Sequence, residues 1–392
     1  MNYSIPYILI TLFFLFIACI QIGMPLNKSS RRYLNFLVVI AYILFWGGRG
    51  FIGWDWYSYY PFYTSLPTFG VELYKVPDFD LGFVFYARLI KSIFPSYEVF
   101  IFINTFINAV LLYIVLKRYV GIKYIALSFA LFIAFNGLML ETDLLRNIKA
   151  LLIFLLAIKY LEARKPIKYF SLIVIAFIFH WSALFFAPLY FFLHKEFSIR
   201  SIIIIIVLGT LIYLLQVEYI TAVIEKTATF LPNNLQTKVI AYIHDPMYNK
   251  SYASVFGFVE RTATAFLVLF YYNRLKENKT NILFINSFVI YISIFLYFSE
   301  LSVVLARLAG NFGYSYWILI PLLIDYSKNS KDKFIIYILF SIIIVAKTHL
   351  LTNSIFYDYK SFFFNKPKSY KEQVETFKKN HPILKKTDKT RK

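Results

Sequence analysis

Charged and polar side chains crowd into one short stretch of this chain, where Glu141, Asp143, Arg146, Asn147 and Lys149 fall between very apolar segments. A charge at bilayer depth is costly, so it persists where it faces water, a partner or a ligand. The spacing i, i+3, i+6 predicts Asp143, Arg146 and Lys149 on one face of a helix. Three further polar groups could act with it. Arg49 and Asp55 belong to an aromatic run with Trp54, Trp56, Tyr57, Tyr59, Tyr60 and Tyr63. His180 and Ser182 interrupt a long apolar segment. Arg307, Asn311 and Ser315 repeat at i, i+4, i+8, with Glu300 about two helical turns earlier.

Each residue type suits one part of a single chemistry. Arginine offers a planar fork of donors that keeps its charge and matches phosphate oxygens. Histidine transfers protons near neutral pH. Tryptophan and tyrosine pair an apolar face with a polar tip, which suits a sugar ring. Together they describe a site that moves a glycan from a lipid diphosphate. Every group also has a plainer reading. The aromatic run fits an interfacial belt. Asp143 can neutralise Arg146, Arg307 can pair with Glu300, and His180 can cap a helix. Glu260 and Arg261 are adjacent and can neutralise each other. Arg88 and Lys91 read as interfacial anchors.

No Gly-rich phosphate loop, HExxH or CxxC occurs, and His194, His244, His349 and His381 lack metal-ligand spacing. The single cysteine, Cys19, excludes an intramolecular disulfide and a cysteine-built metal site. The expectation is therefore no metal, no cofactor, no ATP-driven pump and no zinc enzyme.

The elements that must position these groups follow from composition. Of 392 residues, 59% are hydrophobic and only 16% charged, against roughly 25% charged in a soluble domain. Apolar runs recur from end to end, which predicts an all-α polytopic membrane protein of about 11–12 transmembrane segments. Residues 1–352 read as a single transmembrane domain, with outer loops at about 49–96 and 218–254. Residues 353–392 read as a basic C-terminal tail whose end, from Lys378, is polar and disordered. The net charge of +20 sits mostly in short loops and the tail, as cytoplasmic anchoring predicts, and it indicates no nucleic-acid partner.

Spans are expected at 3–23, 33–48, 97–116, 122–140, 144–162, 201–217, 255–272, 281–298, 303–325 and 334–352, with an amphipathic segment at 81–94. Residues 169–193 fit either one span or a hairpin of two short helices with His180 near its tip. The hairpin puts the basic loops 194–200, 273–279 and 328–333 on the cytoplasmic side, and that reading is adopted. It also leaves the basic tail outside unless another segment re-enters.

The order of these residues resembles a known family. Arg49, Gly53-Trp54-Asp55 and Tyr60 come first, then Arg146-Asn147-Ile148-Lys149-Ala150 entering a span. Phe179-His180-Trp181-Ser182-Ala183-Leu184 follows, with Pro188 beyond it, and Ala306-Arg307-Leu308-Ala309-Gly310-Asn311-Phe312 comes late. Over roughly residues 35–350 the chain is similar to the EpsG family of bacterial membrane proteins, which are Wzy-type polysaccharide polymerases.

The resemblance implies a multi-span, GT-C-like glycosyltransferase of the bacterial inner (cytoplasmic) membrane. It would polymerise oligosaccharide repeat units carried on undecaprenyl diphosphate, on the outer face, into capsule, O-antigen or exopolysaccharide. Its partners would be that lipid-linked oligosaccharide, membrane lipids, and a chain-length regulator and flippase. Arg146, Arg307 and Lys149 would bind the diphosphate. His180 would be the general base, with Asp143 and Glu141 in reserve. Arg49, Asp55, Tyr57 and Tyr60 would bind sugar. Two other functions fit the same residue types: an O-antigen ligase-like or other polyprenyl-phosphate-dependent transferase, and a flippase of lipid-linked oligosaccharide. A transporter predicts two related halves and a central charged path. Neither is seen in the sequence.

Overall fold

The structure is a computed structural model that describes residues 2–71, 79–244, 255–301, 308–364, 367 and 369–380. Among the described residues no strand forms, and the backbone is helical apart from turns and one isolated bridge between Arg49 and Ser361. Five helices are long and apolar enough to cross a membrane: Ile5–Gly23, Tyr97–Tyr119, Ile125–Thr142, Lys279–Tyr297 and Ser330–Thr352. The chain is a multi-pass, all-α membrane protein.

Local chemistry explains where these helices start and stop. Asn27 caps the Lys28–Gly47 helix by accepting from the Ser30 amide at 2.8 Å. Ser96 caps Tyr97–Tyr119, with Glu98 in its first turn and Lys117 and Arg118 in its last, as the helix dipole favours. Pro166 opens the Pro166–Phe179 helix, where its missing N–H costs nothing. The expected segment boundaries agree with the helices to within a few residues at most positions.

The chain divides into two compact units, Met1–Tyr190 with Leu339–Lys392, and Phe191–Ile338. In the first, the basic loops gather at one end. Arg31 Nη1 donates to the Gln21 carbonyl at 2.7 Å, and Asn35 Nδ2 to the Ile122 carbonyl at 2.9 Å. Arg118 pairs with Glu162 at 3.1 Å.

The reversal expected within 169–193 is present. The Pro166–Phe179 helix stops at His180, whose backbone is extended (φ −161°, ψ 129°), and a 3-10 helix, Trp181–Phe186, follows. The chain then returns: the Tyr169 hydroxyl donates to the Phe186 carbonyl at 2.6 Å, and Arg164 Nη1 to the Tyr190 carbonyl at 2.7 Å. His180 is thus the tip of a short helical hairpin whose base lies at the basic end.

The tail does not stand apart from the first unit. Gly50 N donates to Lys360 O at 2.8 Å, Phe362 N to Gly48 O at 2.9 Å, and Gly53 N to Phe356 O at 2.8 Å. A helix, Tyr370–Asn380, then lies on the aromatic run, so the expected disorder from Lys378 does not hold through Asn380. Its anchor is Phe377, which is buried and stacked on Tyr57 at 5.2 Å.

The second unit holds Ile199–Leu214, Val255–Phe270, Lys279–Tyr297 and Tyr314–Tyr326, with shorter helices Ile220–Ala228 and Asn233–His244 in the expected outer loop. Lys276 pairs with Glu196 at 2.8 Å, and Asn286 Nδ2 donates to the Lys195 carbonyl at 2.8 Å. The loops at 194–200 and 273–279 therefore share one end of this unit.

Candidate functional site

The charged stretch does not form one continuous helical face. The Ile125–Thr142 helix contains a kink at Phe135 and Asn136, where Asn136 adopts φ 76°. It ends at Thr142, and the next helix, Leu145–Glu162, begins after Leu144 at φ −111°, ψ 50°. Asp143 lies in the break. The expected i, i+3, i+6 face therefore shrinks to Arg146 and Lys149, and Asp143 and Glu141 are free to point elsewhere.

They point into the protein. Glu141 is fully buried. Its carboxylate accepts from the Tyr42 hydroxyl at 2.7 Å, from Asn108 Nδ2 at 3.0 Å and from the Thr105 hydroxyl at 3.5 Å. Asn108 Oδ1 in turn accepts from Lys149 Nζ at 2.6 Å, and Lys149 also donates to the Asn104 carbonyl at 3.2 Å. The ammonium lies 5.0 Å from the Tyr86 ring centroid. Arg49 donates to the backbone carbonyls of Trp46 and Glu141 and to the Thr105 hydroxyl. Two cations and one carboxylate thus share a network whose other members are neutral donors and acceptors. A buried charge is tolerable under those conditions.

Asp143 is also buried, and it works as a backbone clamp. Its carboxylate accepts from the amides of Trp54 and Asp55, the latter at 3.1 Å, and from the Thr142 hydroxyl at 2.8 Å. The Tyr357 hydroxyl lies against the same pair. Gly53, at φ +81°, brings the loop close enough that an added Cβ would sit 2.9 Å from Asp143 Oδ2. Only glycine adopts that conformation at little cost, and only glycine leaves room for the carboxylate.

Arg146 differs from all of these. Its side chain is 27% exposed, and Nη1 pairs with Asp80 at 2.7 Å. The guanidinium lies 4.8 Å from the Phe79 ring centroid and contacts the Tyr59 hydroxyl. Burial pushes the Tyr59 phenol up to about 12 despite the nearby guanidinium, so the hydroxyl stays protonated near neutral pH. Asp80 precedes the Leu81–Ile93 helix, which matches the expected amphipathic segment at 81–94 and leaves Leu81, Phe85, Leu89 and Ile93 exposed along one stripe. Arg88 and Lys91 on this helix hold the aromatic segment from within. Arg88 Nη2 donates to the Thr68 carbonyl at 3.0 Å, and Lys91 Nζ to the Tyr63 carbonyl at 2.6 Å.

A close approach ties this rim to His180. A Cβ added at Gly82 would lie 2.9 Å from the Ile178 carbonyl. The residue two places after Asp80 therefore touches the residue two places before His180. His180 accepts the Ser182 amide at Nδ1 (3.2 Å) and lies 2.8 Å from the Ser182 hydroxyl. It caps the 3-10 turn. A backbone N–H can only donate, so Nδ1 is an acceptor, and a neutral ring then carries its proton on Nε2.

The other expected residues fall out differently. Tyr60 stacks on Tyr370 at 4.2 Å and 16°, and Tyr57 stacks on Phe377 at 16°. Trp54 lies on Phe356 at 3.9 Å. The tail therefore occupies ring faces that a sugar would use. Asp55 is half-buried beside them. Arg307 lies outside the described residues. The turn at Asn311–Gly313 interrupts the helix, so Asn311 and Ser315 do not continue one i, i+4, i+8 face, and Ser315 bonds the Phe312 carbonyl at 2.8 Å. Glu300 accepts the amides of Ile220 and Thr221, each at 2.9 Å, and so caps the Ile220–Ala228 helix.

Sequence reasoning passed over Asp80 as a site residue. Its signal was present: an acidic residue just before an amphipathic helix that follows an aromatic segment.

Among the described residues no group of His, Cys, Asp and Glu could hold a metal ion. A family model described as the EpsG family matches residues 32–361. No curated protein and no solved structure matches the chain.

Proposed function

The chain belongs to the EpsG family, which points to a polymerase-type membrane glycosyltransferase in general, and from that premise we propose that it joins repeat units of a surface polysaccharide. The substrates are two undecaprenyl-diphosphate-linked oligosaccharides in the bacterial inner membrane. The site lies on the outer face, because the end of the first unit that carries Arg146 is opposite its basic loops.

One observation carries the reading. Of the three cations of the first unit expected to bind substrate, Arg49 and Lys149 are buried and committed to internal partners, while Arg146 is partly exposed beside Asp80, near the His180 hairpin tip.

The incoming diphosphate exchanges with Asp80 on the Arg146 guanidinium. An oxygen of the acceptor sugar attacks the anomeric carbon of the growing chain. The anomeric carbon–oxygen bond to the diphosphate breaks, and its electron pair leaves on the phosphate oxygen. Arg146 neutralises that developing charge, and His180 donates Nε2–H to the same leaving group. The hydroxyl proton passes to the released Asp80 carboxylate. Asp143 and Glu141 position this machinery through the loop at 53–55 and through Arg49. Asp55 contacts the sugar from that loop.

The test is reconstitution. Purified protein supplied with undecaprenyl-diphosphate repeat units makes a product ladder, Arg146→Ala abolishes it, and Asp80→Asn slows it while still binding the lipid. A wild-type protein that makes no ladder but moves labelled lipid across a liposome overturns the reading in favour of a flippase.

A further inference from the structure

Tyr86 takes no part in the steps above, yet it stands where the helices that carry them meet. It lies in the second turn of Leu81–Ile93, half-buried, and different parts of its side chain touch three other helices. The hydroxyl donates to Asn104 Oδ1 at 3.3 Å, in Tyr97–Tyr119. The Lys149 ammonium of Leu145–Glu162 lies over the ring, 5.0 Å from its centroid. The ring also meets that of Phe179, the last residue of Pro166–Phe179, at 6.2 Å and 61°. Tyrosine suits all three contacts at once. Its tip hydrogen-bonds an amide, its face attracts an ammonium, and its ring packs edge-to-face on another ring. Phenylalanine would lose the first of these and leucine all three.

The partners differ in kind. Asn104 and Lys149 belong to the buried network: neither is more than 3% exposed, and Lys149 Nζ donates to the Asn104 carbonyl at 3.2 Å. Phe179 is half-buried and directly precedes His180. Gly82 shares the Tyr86 face at i, i+4, and it is the residue that closes on the Ile178 carbonyl. The end of the first hairpin helix therefore rests on Gly82 and Tyr86 together. Asp80 opens the helix that carries Tyr86, and Arg146 lies one turn before Lys149. Tyr86 thus ties the helices of Asp80, Arg146 and His180 to one buried point.

We propose that Tyr86 is a positioning residue of the transfer, which holds His180 at its working distance from Asp80 and Arg146 by acting through Phe179. The inference rests on the polymerase reading. There the acceptor proton goes to Asp80 while His180 supplies one to the leaving group, so the acid and the base need a fixed separation. Arg146 keeps Asp80, the Tyr59 hydroxyl and the Phe79 ring without help from Tyr86. Displacing the hairpin tip therefore costs rate and spares diphosphate binding. A misplacement of about 1 Å costs about a hundredfold.

The experiment is a double-mutant cycle on the reconstituted full chain, with kcat and KM read from the product ladder. Tyr86→Leu is expected to lower kcat by about a hundredfold at unchanged KM. Tyr86→Phe keeps the ring and loses one neutral hydrogen bond, so its kcat is expected to recover to within about two- to tenfold of wild type. In a His180→Ala background either change is expected to have no further effect on kcat, because the group that Tyr86 positions is gone. A merely structural role would lower the melting temperature and multiply the two losses. Full additivity with His180→Ala overturns the proposal, and so does a loss confined to KM or a wild-type kcat in folded Tyr86→Leu. If Tyr86→Leu does not fold, Tyr86→Phe carries the same cycle. A wild type that forms no ladder removes the polymerase reading and this inference with it. A ladder with additive losses removes this inference alone.

Discussion

Two groups of charged residues lie at one end of the first unit, and they do opposite things. Arg49, Glu141, Asp143 and Lys149 are each no more than 4% exposed and are met by hydroxyls, amides and carbonyls. Arg146 and Asp80 are partly open and form an ion pair, with the Tyr59 hydroxyl and the Phe79 ring as the guanidinium's neutral neighbours. Glu141 and Arg146 are near neighbours in sequence. What separates them is how completely the surrounding protein meets their hydrogen-bonding demands. A saturated charge is a structural member, while one balanced by a single exchangeable counter-ion can take a ligand.

The sharpest way to break this comparison is to remove a charge from the saturated group. Glu141→Ala leaves Arg49 and Lys149 buried without their carboxylate, and the expected loss is about 3–5 kcal/mol of stability. Thermal unfolding in detergent checks it. A folded Glu141→Ala protein with near-normal melting would show that the buried network is not what holds this end together.

The open group should behave the other way round. Arg146→Ala is expected to lower the polymerisation rate by about 10²–10³-fold, the usual scale for losing a charge-stabilising donor. Its stability should change by only about 1 kcal/mol or less, since the Asp80 pair is partly exposed. A large stability loss instead would place Arg146 with the saturated group. Gly53→Ala tests the join between the two. The strained φ and the crowding of Asp143 predict a loss of about 1–3 kcal/mol, with a smaller rate loss than Arg146→Ala. Normal melting of that variant would mean the 53–55 loop tolerates displacement from Asp143.

Much of the fold was legible from the chain itself. Apolar run lengths placed the helices, and the charge of three basic loops decided for the hairpin at 169–193, whose length alone fits a single span equally well. The prominence of Arg146 was also legible, because a charge entering a span is rare. Its environment was not. Asp143 bonds amides near residue 54, and Arg49 bonds the Glu141 carbonyl. Such pairings depend on tertiary approach, and helical periodicity carries no record of them. The break at Asp143 matches the expected gap between spans 122–140 and 144–162, but the i, i+3, i+6 spacing still suggested one helical face across it. The docking of the tail was masked for another reason: a basic, polar segment advertises solubility, while only Tyr370, Val374 and Phe377 mark the face that packs.

That tail sets up the smallest predicted effect and the one that bears on sugar. Tyr370 is half-exposed and stacks on Tyr60. An aromatic pair adds about 0.5–1.5 kcal/mol beyond its buried area. Tyr370→Ala is therefore expected to cost stability on that scale, read from the melting temperature, and to leave the product ladder unchanged. If polymerisation instead accelerates, the tail competes with glycan for Tyr57 and Tyr60, and those rings rejoin the open group. If it slows while melting stays normal, the tail itself contributes to acceptor binding. In each case the criterion is the one that separates Arg146 from Glu141: whether the partner now in place can be exchanged for substrate.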